Sequence, residues 1–484
     1  MIFVFLLGPA VASALLALVV RPYRAAVGWA NGALSLVAVG AALALWREVL
    51  GGRVPVAGPD DLLRADALST LLAFCVSLVG ALAAWLGPGL GDDSWDATQA
   101  RRFRIFANLF VFTMLFAVTT DNVGFMWVAI EATTITSALL IPLHASKASV
   151  EASWKYILIG SVGIALAFAG TVLAYFDFST LVGRETTALS WTLLREVAPA
   201  LNPRVLELAF VFILIGYGTK AGVAPMHTWL PDAHSEAPAA LSAMMSGVLL
   251  AVALYAIVRW QAVVGRAAVS PGFAENVIGL LGVLSLAIGA LSLVAQRNYK
   301  RLLAYSSIEH TGLICVGLAL GPLGVFASML HLLNHSLAKS TTFLLAGRVL
   351  GRYKTAEIEG VTGLLRTMPW TGGFFAAGML AVIGLPPFGL FVSEFALVRA
   401  GFAAGRPLTI ALVLALLAVG FVGVLAHLNR MLYGPPPGGV PIGERGGWAL
   451  VPLGACLAAL IVLGLTVPAA LDGLLVSIAG IVTP

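Results

Sequence analysis

Residues 216–238 read GYGTKAGVAPMHTWLPDAHSEAP, and this stretch decides how the rest of the chain is interpreted. It joins two apolar runs, 206–215 and 239–258, yet it carries Lys220, two nearby glycines and three prolines. Proline removes a backbone donor and glycine loosens a helix, and backbone of this kind survives at membrane depth only where it lines a cavity. The stretch therefore predicts a broken membrane helix with a charged, hydrated site at the break.

The composition places the whole chain in the membrane. Of 484 residues, 60% are hydrophobic and 11% are charged, whereas a soluble domain is about 25% charged. The three cysteines each stand alone in an apolar run, which is not the spacing of a metal site or a disulfide framework. The net charge of +5 comes from short loops and not from a dense basic cluster, so nucleic acid is not an expected partner. We predict an all-α polytopic membrane protein.

The apolar runs predict about fourteen transmembrane helices, since each span needs roughly 20 residues. The first run has no positively charged segment before it, so we expect it to be a retained span and not a cleaved signal. The seventh and twelfth runs are long and interrupted. The predicted spans are about 1–20, 27–46, 67–87, 104–120, 122–142, 153–176, 205–230, 238–260, 274–295, 302–321, 323–347, 369–402, 408–433 and 447–467.

The distribution of lysine and arginine predicts the orientation. Odd-numbered connections hold sixteen of these residues, including every loop lysine, and even-numbered ones hold ten. By the positive-inside rule the odd connections are cytoplasmic. We therefore expect an integral protein of a prokaryotic-type cytoplasmic (inner) membrane with both termini outside.

A second Gly/Pro interruption resembles the first. The run from Gly222 to Pro225 has a counterpart from Gly384 to Pro387, five spans later. Five is an odd number, so the two copies would be inverted, and paired broken helices indicate an inverted-repeat transporter with sites near the midplane. On this pattern alone, coincidence is the alternative.

Four charged residues fall inside predicted spans: Glu131, Lys220, Lys339 and Glu394. Each costs about 3 kcal/mol to insert at a helix centre, so each needs a reason. One reason is a static ion pair between helices, or a side chain that reaches to the interface. The other is proton transfer, because a nearby carboxylate favours a charged lysine and burial disfavours it.

Histidines extend this set. His331, His335 and Lys339 are spaced i, i+4, i+8, which puts them on one helical face at about 6 Å per step. His310 adds a titratable group on the preceding span. Such a row can pass protons in small steps. Metal binding is not expected, because no carboxylate or thiolate completes a ligand set there.

The opening stretch supplies three secondary candidates, which are His227, Asp232 and His234. The chain shows no phosphate-binding loop, no dinucleotide fingerprint and no cysteine cluster for iron and sulfur. We therefore expect neither a cofactor nor a catalytic residue in this chain.

Four segments carry a family resemblance. They begin at Lys220 (KAGVAPMHTWLPDAHSEAP), Lys300 (KRLLAYSSIEH), His335 (HSLAK) and Leu385 (LPPFGLFVSE). Over roughly residues 65–430 the chain resembles the antiporter-like proton-translocating subunits shared by respiratory complex I, Mrp-type cation/proton antiporters and membrane-bound hydrogenases. The IEH ending and the LFVSE run look most like the hydrogenase-4 component F branch.

The resemblance implies roles for individual positions. Glu131 matches the family's glutamate of the fifth span, Lys220 the lysine of the broken seventh, and Lys339 the central lysine of the eleventh. Glu394 matches the terminal charged residue of the broken twelfth span, and two histidines match the central hydrophilic axis. Those histidines are His331 and His335.

The resemblance also implies an organisation. It divides the chain into N-terminal helices (1–103), a first inverted five-helix repeat (104–260), a second (274–433) and a last helix with the C-terminus (434–484). One position departs from the family. Where many members carry lysine or histidine in the eighth span, this chain has Ala251, so a link across it would need water and polar partners such as Ser246, His227 or His310.

Three function classes follow. The first is a proton-translocating subunit of a membrane-bound redox complex. Its redox cofactors would lie in peripheral partner subunits, and its flanks would meet lipid and other antiporter-like or channel-forming subunits. The second is a subunit of a cation/proton antiporter or of an inorganic-carbon uptake complex. The third is a structural scaffold, for which buried charges at broken helices would be a needless cost.

Overall fold

The computed structural model describes residues 1–87, 95–183, 189–267, 269–444 and 446–483. Helices make up nearly all of these residues, and the described sheet is one short hairpin of β1 (Val56–Ala57) and β2 (Leu63–Arg64). The helices are α1 (Ile2–Val19), α2 (Ala25–Leu50), α3 (Ala67–Leu86), α4 (Ala97–Thr119), α5 (Val123–Ala138), α6 (Lys147–Val182), α7 (Trp191–Val197), α8 (Pro203–Ala221), α9 (Trp229–Glu236), α10 (Ala239–Met244), α11 (Leu250–Val264), α12 (Phe273–Val294), α13 (Tyr299–Leu318), α14 (Gly321–Tyr353), α15 (Leu364–Thr367), α16 (Pro369–Val382), α17 (Gly389–Ala403), α18 (Pro407–Leu432), α19 (Leu450–Leu465) and α20 (Ala469–Val482).

The predicted all-helical membrane class is confirmed. Within the described residues, ten helices are long and apolar enough to cross a membrane. Helix is present in every one of the fourteen predicted ranges. The number of crossings and the inverted repeats stay predictions.

Both predicted interruptions are present and have the same local geometry. α8 ends at Ala221, and Gly222 follows in the left-handed conformation with φ 71°. After α16, Gly384 has φ 68°. In each case the next amide donates to the carbonyl five residues before it, at 2.8 Å in the first break and 3.1 Å in the second. This is the Schellman arrangement, which satisfies a free carbonyl and needs glycine at its left-handed position.

The eighth predicted span contains a turn of π-helix, Met245–Leu249, between α10 and α11. The Ser336 hydroxyl of α14 donates to the Gly247 carbonyl in this turn at 2.6 Å. A π-turn widens the helix by one residue and is frequent at functional sites. It brings the two halves of the chain into contact just before Ala251.

Helices pack closely in both halves of the chain. A Cβ atom on Gly216 of α8 would lie 2.4 Å from the Ala167 amide nitrogen of α6, and one on Gly312 of α13 would lie 2.5 Å from the Leu286 nitrogen of α12. Small residues let membrane helices approach in this way. A glycine at the contact therefore lets a helix pack closely against its neighbour in each half.

Helix α20 lies beyond the last predicted span. The Trp46 indole near the end of α2 donates to the Ala470 carbonyl at its beginning, and Arg195 of α7 donates to the Ile481 carbonyl at its end. Both partners flank even-numbered connections, so the two ends of α20 contact the same group of connections.

Contacts between connections follow the predicted alternation. Leu63 pairs with Thr120, and Asn122 with Ser190, all in or beside even-numbered connections, while Asn298 pairs with Glu357 at odd-numbered ones. These contacts group the connections into two sides. Which side faces the cytoplasm stays a prediction.

A buried ion pair lies on the side of the protein that carries the even-numbered connections. Asp66 caps α3 by accepting from the Ser69 amide at 3.0 Å, and both of its oxygens accept from the Arg259 guanidinium at the end of α11. Burial would raise the pKa of Asp66, but Arg259 and the Ser69 amide outweigh burial and lower it. The pair ties the N-terminal helices to the eighth span.

Candidate functional site

Lys220 and Glu131 are connected through a hydroxyl group. The side chain of Lys220 is 0% exposed in the last turn of α8, and its Nζ donates to Thr134 Oγ1 of α5. Thr134 Oγ1 in turn donates to Glu131 Oε2 at 3.0 Å, and Ser161 of α6 donates to the other carboxylate oxygen at 3.2 Å. The predicted lysine and glutamate are thus brought together, with Thr134 between them.

A small pocket of α5, α6 and α8 holds the ammonium group. Lys220 Nζ lies 4.9 Å from the centre of the Tyr156 ring, a contact that favours a cation. A Cβ atom on Gly160 would lie 3.2 Å from Nζ, so the absence of a side chain there leaves room for the lysine. Aromatic face, hydroxyl and glycine together fix where the ammonium group sits.

Polar groups freed by the first break find protein partners. The Trp229 indole nitrogen donates to the Thr219 carbonyl at 2.8 Å, and the Ala224 amide donates to Ser285 Oγ of α12 at 2.9 Å. The second bond crosses from one half of the chain to the other. These hydrogen bonds stabilise the break, and the break places Lys220 at the end of a half-helix.

The predicted histidine row is present in the second half. His310 Nδ1 lies 3.0 Å from His331 Nε2, and His331 Nδ1 lies 2.9 Å from Ser393 Oγ of α17. The ring of His335 is centred 5.2 Å from that of His310. Three imidazoles from α13 and α14 are therefore in contact, as their spacing and their places on adjacent spans predict.

Lys339 ends this row with neutral partners. Its Nζ donates to the Leu303 carbonyl at 2.8 Å and to Ser306 Oγ at 2.6 Å, and its side chain is 0% exposed. Two ring nitrogens of the row, Nε2 of His310 and Nε2 of His335, are buried without a partner among the described residues. Buried polar atoms are usually hydrogen-bonded, so these two atoms mark a place where a mobile donor or acceptor would be stabilised.

Glu394 joins the histidines, which corrects the sequence argument against a metal. Its carboxylate and ring nitrogens of His310 and His331 all lie within 4.8 Å of one another. The expectation that no carboxylate reaches this row is wrong, because α17, which follows the second break, packs against α14 and α13. By spacing, these three described groups could hold a metal ion; equally, they form a cluster that can share protons.

Glu309 is a further residue of this site that the sequence patterns did not single out, although it precedes His310 in the quoted motif. Glu309 is 6% exposed, and a Cβ atom on Gly420 of α18 would lie 2.3 Å from its carboxylate. It is close enough to interact electrostatically with Lys339 and Glu394. Its position at the centre of a predicted span was the signal that could have identified it.

Two serines connect the halves near Ala251. Ser246 Oγ of the π-turn lies 2.7 Å from Ser307 Oγ of α13. Ser307 donates to the Leu303 carbonyl, which also accepts from Lys339. Ala251 itself is 3% exposed. One of the predicted polar partners, Ser246, therefore does reach the second half, and Ser307 completes the contact.

The secondary candidates make no hydrogen bond to this row among the described residues, but His234 is close enough to Lys339 to interact with it electrostatically. Asp232 of α9 forms ion pairs with Lys155 at 3.1 Å and with Arg301. His234 is fully buried, stacks on Phe343 at 5.1 Å and has no hydrogen-bond partner on either ring nitrogen among the described residues. His227 is half-buried at the first break, and its Nδ1 has no described partner.

The fold and the site together define a polytopic helical membrane protein with buried charges at broken helices. Residues 120–420 match the family described as NADH:quinone oxidoreductase/Mrp antiporter, TM. The chain belongs to this family, and it is an integral membrane protein.

Individual relatives agree with this assignment. The chain is 41% identical over 335 residues to a hydrogenase-4 component F homolog of Methylacidiphilum infernorum (isolate V4), with 68% of this chain and 69% of the relative covered. The resemblance to that branch is thereby confirmed.

Solved structures agree in fold. A chain of the membrane-bound sulfane sulfur reductase, an archaeal respiratory membrane complex, matches with a TM-score of 0.89 at 23% identity, covering 100% of this chain and 98% of that one. A chain of the Mrp complex from Dietzia sp. matches with a TM-score of 0.85 at 22% identity, covering 99% and 96%.

Proposed function

We propose that this chain is a proton-translocating antiporter-like subunit of a membrane-bound redox complex of the hydrogenase or complex I type. Electron transfer in partner subunits would drive protons through its buried glutamates, lysines and histidines. One observation carries the proposal: Lys220 reaches Glu131 through the Thr134 hydroxyl and is not held in an ion pair.

One ion pair of the chain illustrates a purely structural contact between helices. Arg259 holds Asp66 with two direct bonds and no intervening group. No ion pair among the described residues joins Lys220 or Lys339 to a carboxylate. A buried ammonium group that has only neutral direct partners costs free energy and does little to fix helices together. Its presence in both halves favours proton transfer over a structural role.

We assign the proton pathway to two segments and a link. The first segment contains Glu131, Thr134 and Lys220 of the repeat 104–260. The second contains Lys339, three histidines and Glu394 of the repeat 274–433. Ser246 and Ser307 form the link at the π-turn. The flanking units, 1–103 and 434–484, would complete the helical bundle and face partner subunits.

Partners and location follow from the same proposal. The redox cofactors lie in peripheral partner subunits, and the membrane neighbours are lipid and other antiporter-like or channel-forming subunits. The name of the hydrogenase-4 component F homolog supports such an assembly. We place the chain in a prokaryotic-type inner membrane with both termini outside, as the loop charges indicate.

A cation/proton antiporter subunit is the second candidate function. The family includes the Mrp antiporter, and the cluster of Glu394 with two histidines offers oxygen and nitrogen ligands to a cation. Under this alternative the purified complex would exchange sodium for protons without any electron donor.

The test is proton pumping by the Lys220→Ala variant. The complex is purified through a tag on this chain, its partner subunits are identified, and it is reconstituted into vesicles. We expect redox partners to copurify, and the variant to assemble normally but to lose pumping. Pumping at the wild-type level by the variant would reject the pathway, and sodium-dependent proton exchange without redox partners would select the antiporter.

A further inference from the structure

An open pocket of about 370 Å³ lies on the side of the protein that carries the even-numbered connections. It is bounded by β2, α7, the residues after α11 and the end of α20. Three guanidinium groups line it, those of Arg64, Arg195 and Arg266. The pocket is remote in sequence and in elements from the proton pathway, so that pathway does not explain it.

The pocket carries an excess of positive charge among the described residues. Its lining includes two carboxylates, Asp66 and Glu196. Both oxygens of Asp66 are engaged by Arg259 behind the pocket. Glu196 is exposed and forms no ion pair among the described residues. Three cations therefore face a single remaining carboxylate.

The three arginines keep donors free. Arg195 uses one nitrogen to donate to the Ile481 carbonyl at 2.9 Å. The Nε atoms of Arg64 and Arg195 are buried and have no partner among the described residues. None of the three forms an ion pair with a described carboxylate. A guanidinium group with free donors matches the geometry of a phosphate, which it binds through two parallel bonds.

The positive charges around Arg195 outweigh the carboxylate near it. Burial lowers the pKa of Arg195, the neighbouring charges of Arg266 and Arg259 lower it further, and the charge of Asp66 offsets only part of this effect. α7 lies in a connection between spans, where headgroups of the bilayer are within reach. The pocket also has apolar walls, from Val54, Trp191 and Ile481, which suit the glycerol and the first methylenes of a lipid.

We propose that this pocket binds the phosphate group of an anionic ligand, and that in the membrane this ligand is the phosphodiester headgroup of an acidic phospholipid. Guanidinium groups with free donors bind phosphate oxygens through charge-assisted, often paired, hydrogen bonds. The bound phosphate would join the β-hairpin, α7 and the end of α20.

The test measures lipid retained by the full-length chain in detergent. Native mass spectrometry is performed with phosphatidylglycerol and phosphatidylcholine in equal amounts. The wild type is expected to prefer phosphatidylglycerol, and the Arg64→Gln/Arg266→Gln variant to lose this preference by about tenfold. The matched control is Arg47→Gln/Arg53→Gln, which removes the same charge from a pocket at the end of α2, where Arg53 already pairs with Glu48 at 3.1 Å. The control is expected to retain lipid as the wild type does.

A second measurement distinguishes the source of the phosphate. The melting temperature of delipidated chain is recorded with inorganic phosphate and with chloride at equal ionic strength. Stabilisation by phosphate that requires Arg64 and Arg266, without any preference for phosphatidylglycerol, would keep the anion site and reject the lipid. Equal behaviour of the wild type and the pocket variant in both measurements would reject the site. If the double variant does not fold, Arg266→Gln carries the test, because Arg266 is exposed on the rim; unchanged retention would then overturn the proposal.

Discussion

Lys220 reaches Glu131 through one hydroxyl group. Thr134 stands on the same helix as Glu131, one turn further along, and accepts from the lysine while it donates to the carboxylate. A hydroxyl group can donate and accept at once, so it can relay a proton between two groups that do not touch.

The first prediction concerns this hydroxyl. Thr134→Val keeps the shape of the side chain and removes the relay, so proton pumping in vesicles should fall by at least about tenfold, while Thr134→Ser should restore most of it. Thr136→Val is the matched control, because within the described parts of the chain the Thr136 hydroxyl bonds only to carbonyls of its own helix. Equal pumping by Thr134→Val and Thr136→Val would show that the hydroxyl carries no proton.

The second prediction concerns the histidine row. His335→Ala removes the imidazole that lies between His310 and Lys339, so pumping should fall while assembly of the complex is retained. His144→Ala is the control, since His144 is exposed in a connection. The initial rate of vesicle acidification is the measurement, and similar rates for the two variants would contradict a role for the row.

The third prediction concerns the link at the π-turn. Ser307→Ala removes the contact with Ser246 and should slow transfer between the halves, so pumping should fall although each half keeps its lysine. Ser328→Ala is the control on the neighbouring helix, because the Ser328 hydroxyl only donates to the Ile314 carbonyl. A wild-type rate for Ser307→Ala would place the connection between the halves elsewhere.

The fourth prediction concerns stability and pH. The pKa of Asp66 in the folded protein lies below its unfolded value of about 3.9. The stabilisation from its ion pair is therefore fully present above the unfolded pKa and is lost as the pH falls through the folded one. Asp66→Asn leaves Arg259 buried without its partner, so it should cost about 3–5 kcal/mol at neutral pH. The melting temperature in detergent, recorded against pH, is the measurement.

The control for this prediction is an exposed pair. Glu48→Gln removes the partner of Arg53, and both side chains are largely in solvent, so the melting temperature should change little. The difference between wild type and Asp66→Asn should shrink below about pH 4. A difference that is constant across the whole pH range would mean that Asp66 contributes by packing and not by its charge.

Several features of the site were accessible from the sequence. Lys220 and Glu394 stand beside Gly/Pro interruptions, and His331, His335 and Lys339 repeat every four residues. These are local patterns, and the backbone follows them because glycine, proline and the helical period act on nearby residues. The structure has the breaks and the row where the patterns predicted them.

Contacts between residues that are distant in sequence could not be predicted from it. Nothing local to Glu394 says that it meets His310 and His331, and the argument against a metal failed for that reason. The contact of Ser246 with Ser307 and the position of Thr134 between Lys220 and Glu131 join residues that are 61 and 86 positions apart in sequence. Helix α20 is apolar, and only the structure shows that its two ends contact the same group of connections.

One physical cause separates the features that the sequence predicts from those that it does not. In lipid every backbone polar group must be satisfied within its own helix or at a break that supplies other partners, so the sequence by itself determined the membrane class, the presence of helix in each apolar run and the interruptions. Lipid tails are as apolar as the side chains that face them, so helices gain little hydrophobic free energy by meeting, and close packing and hydrogen bonds select their neighbours. Only the tertiary structure could therefore decide which hydroxyl joins Lys220 to Glu131 and which carboxylate completes the histidine cluster.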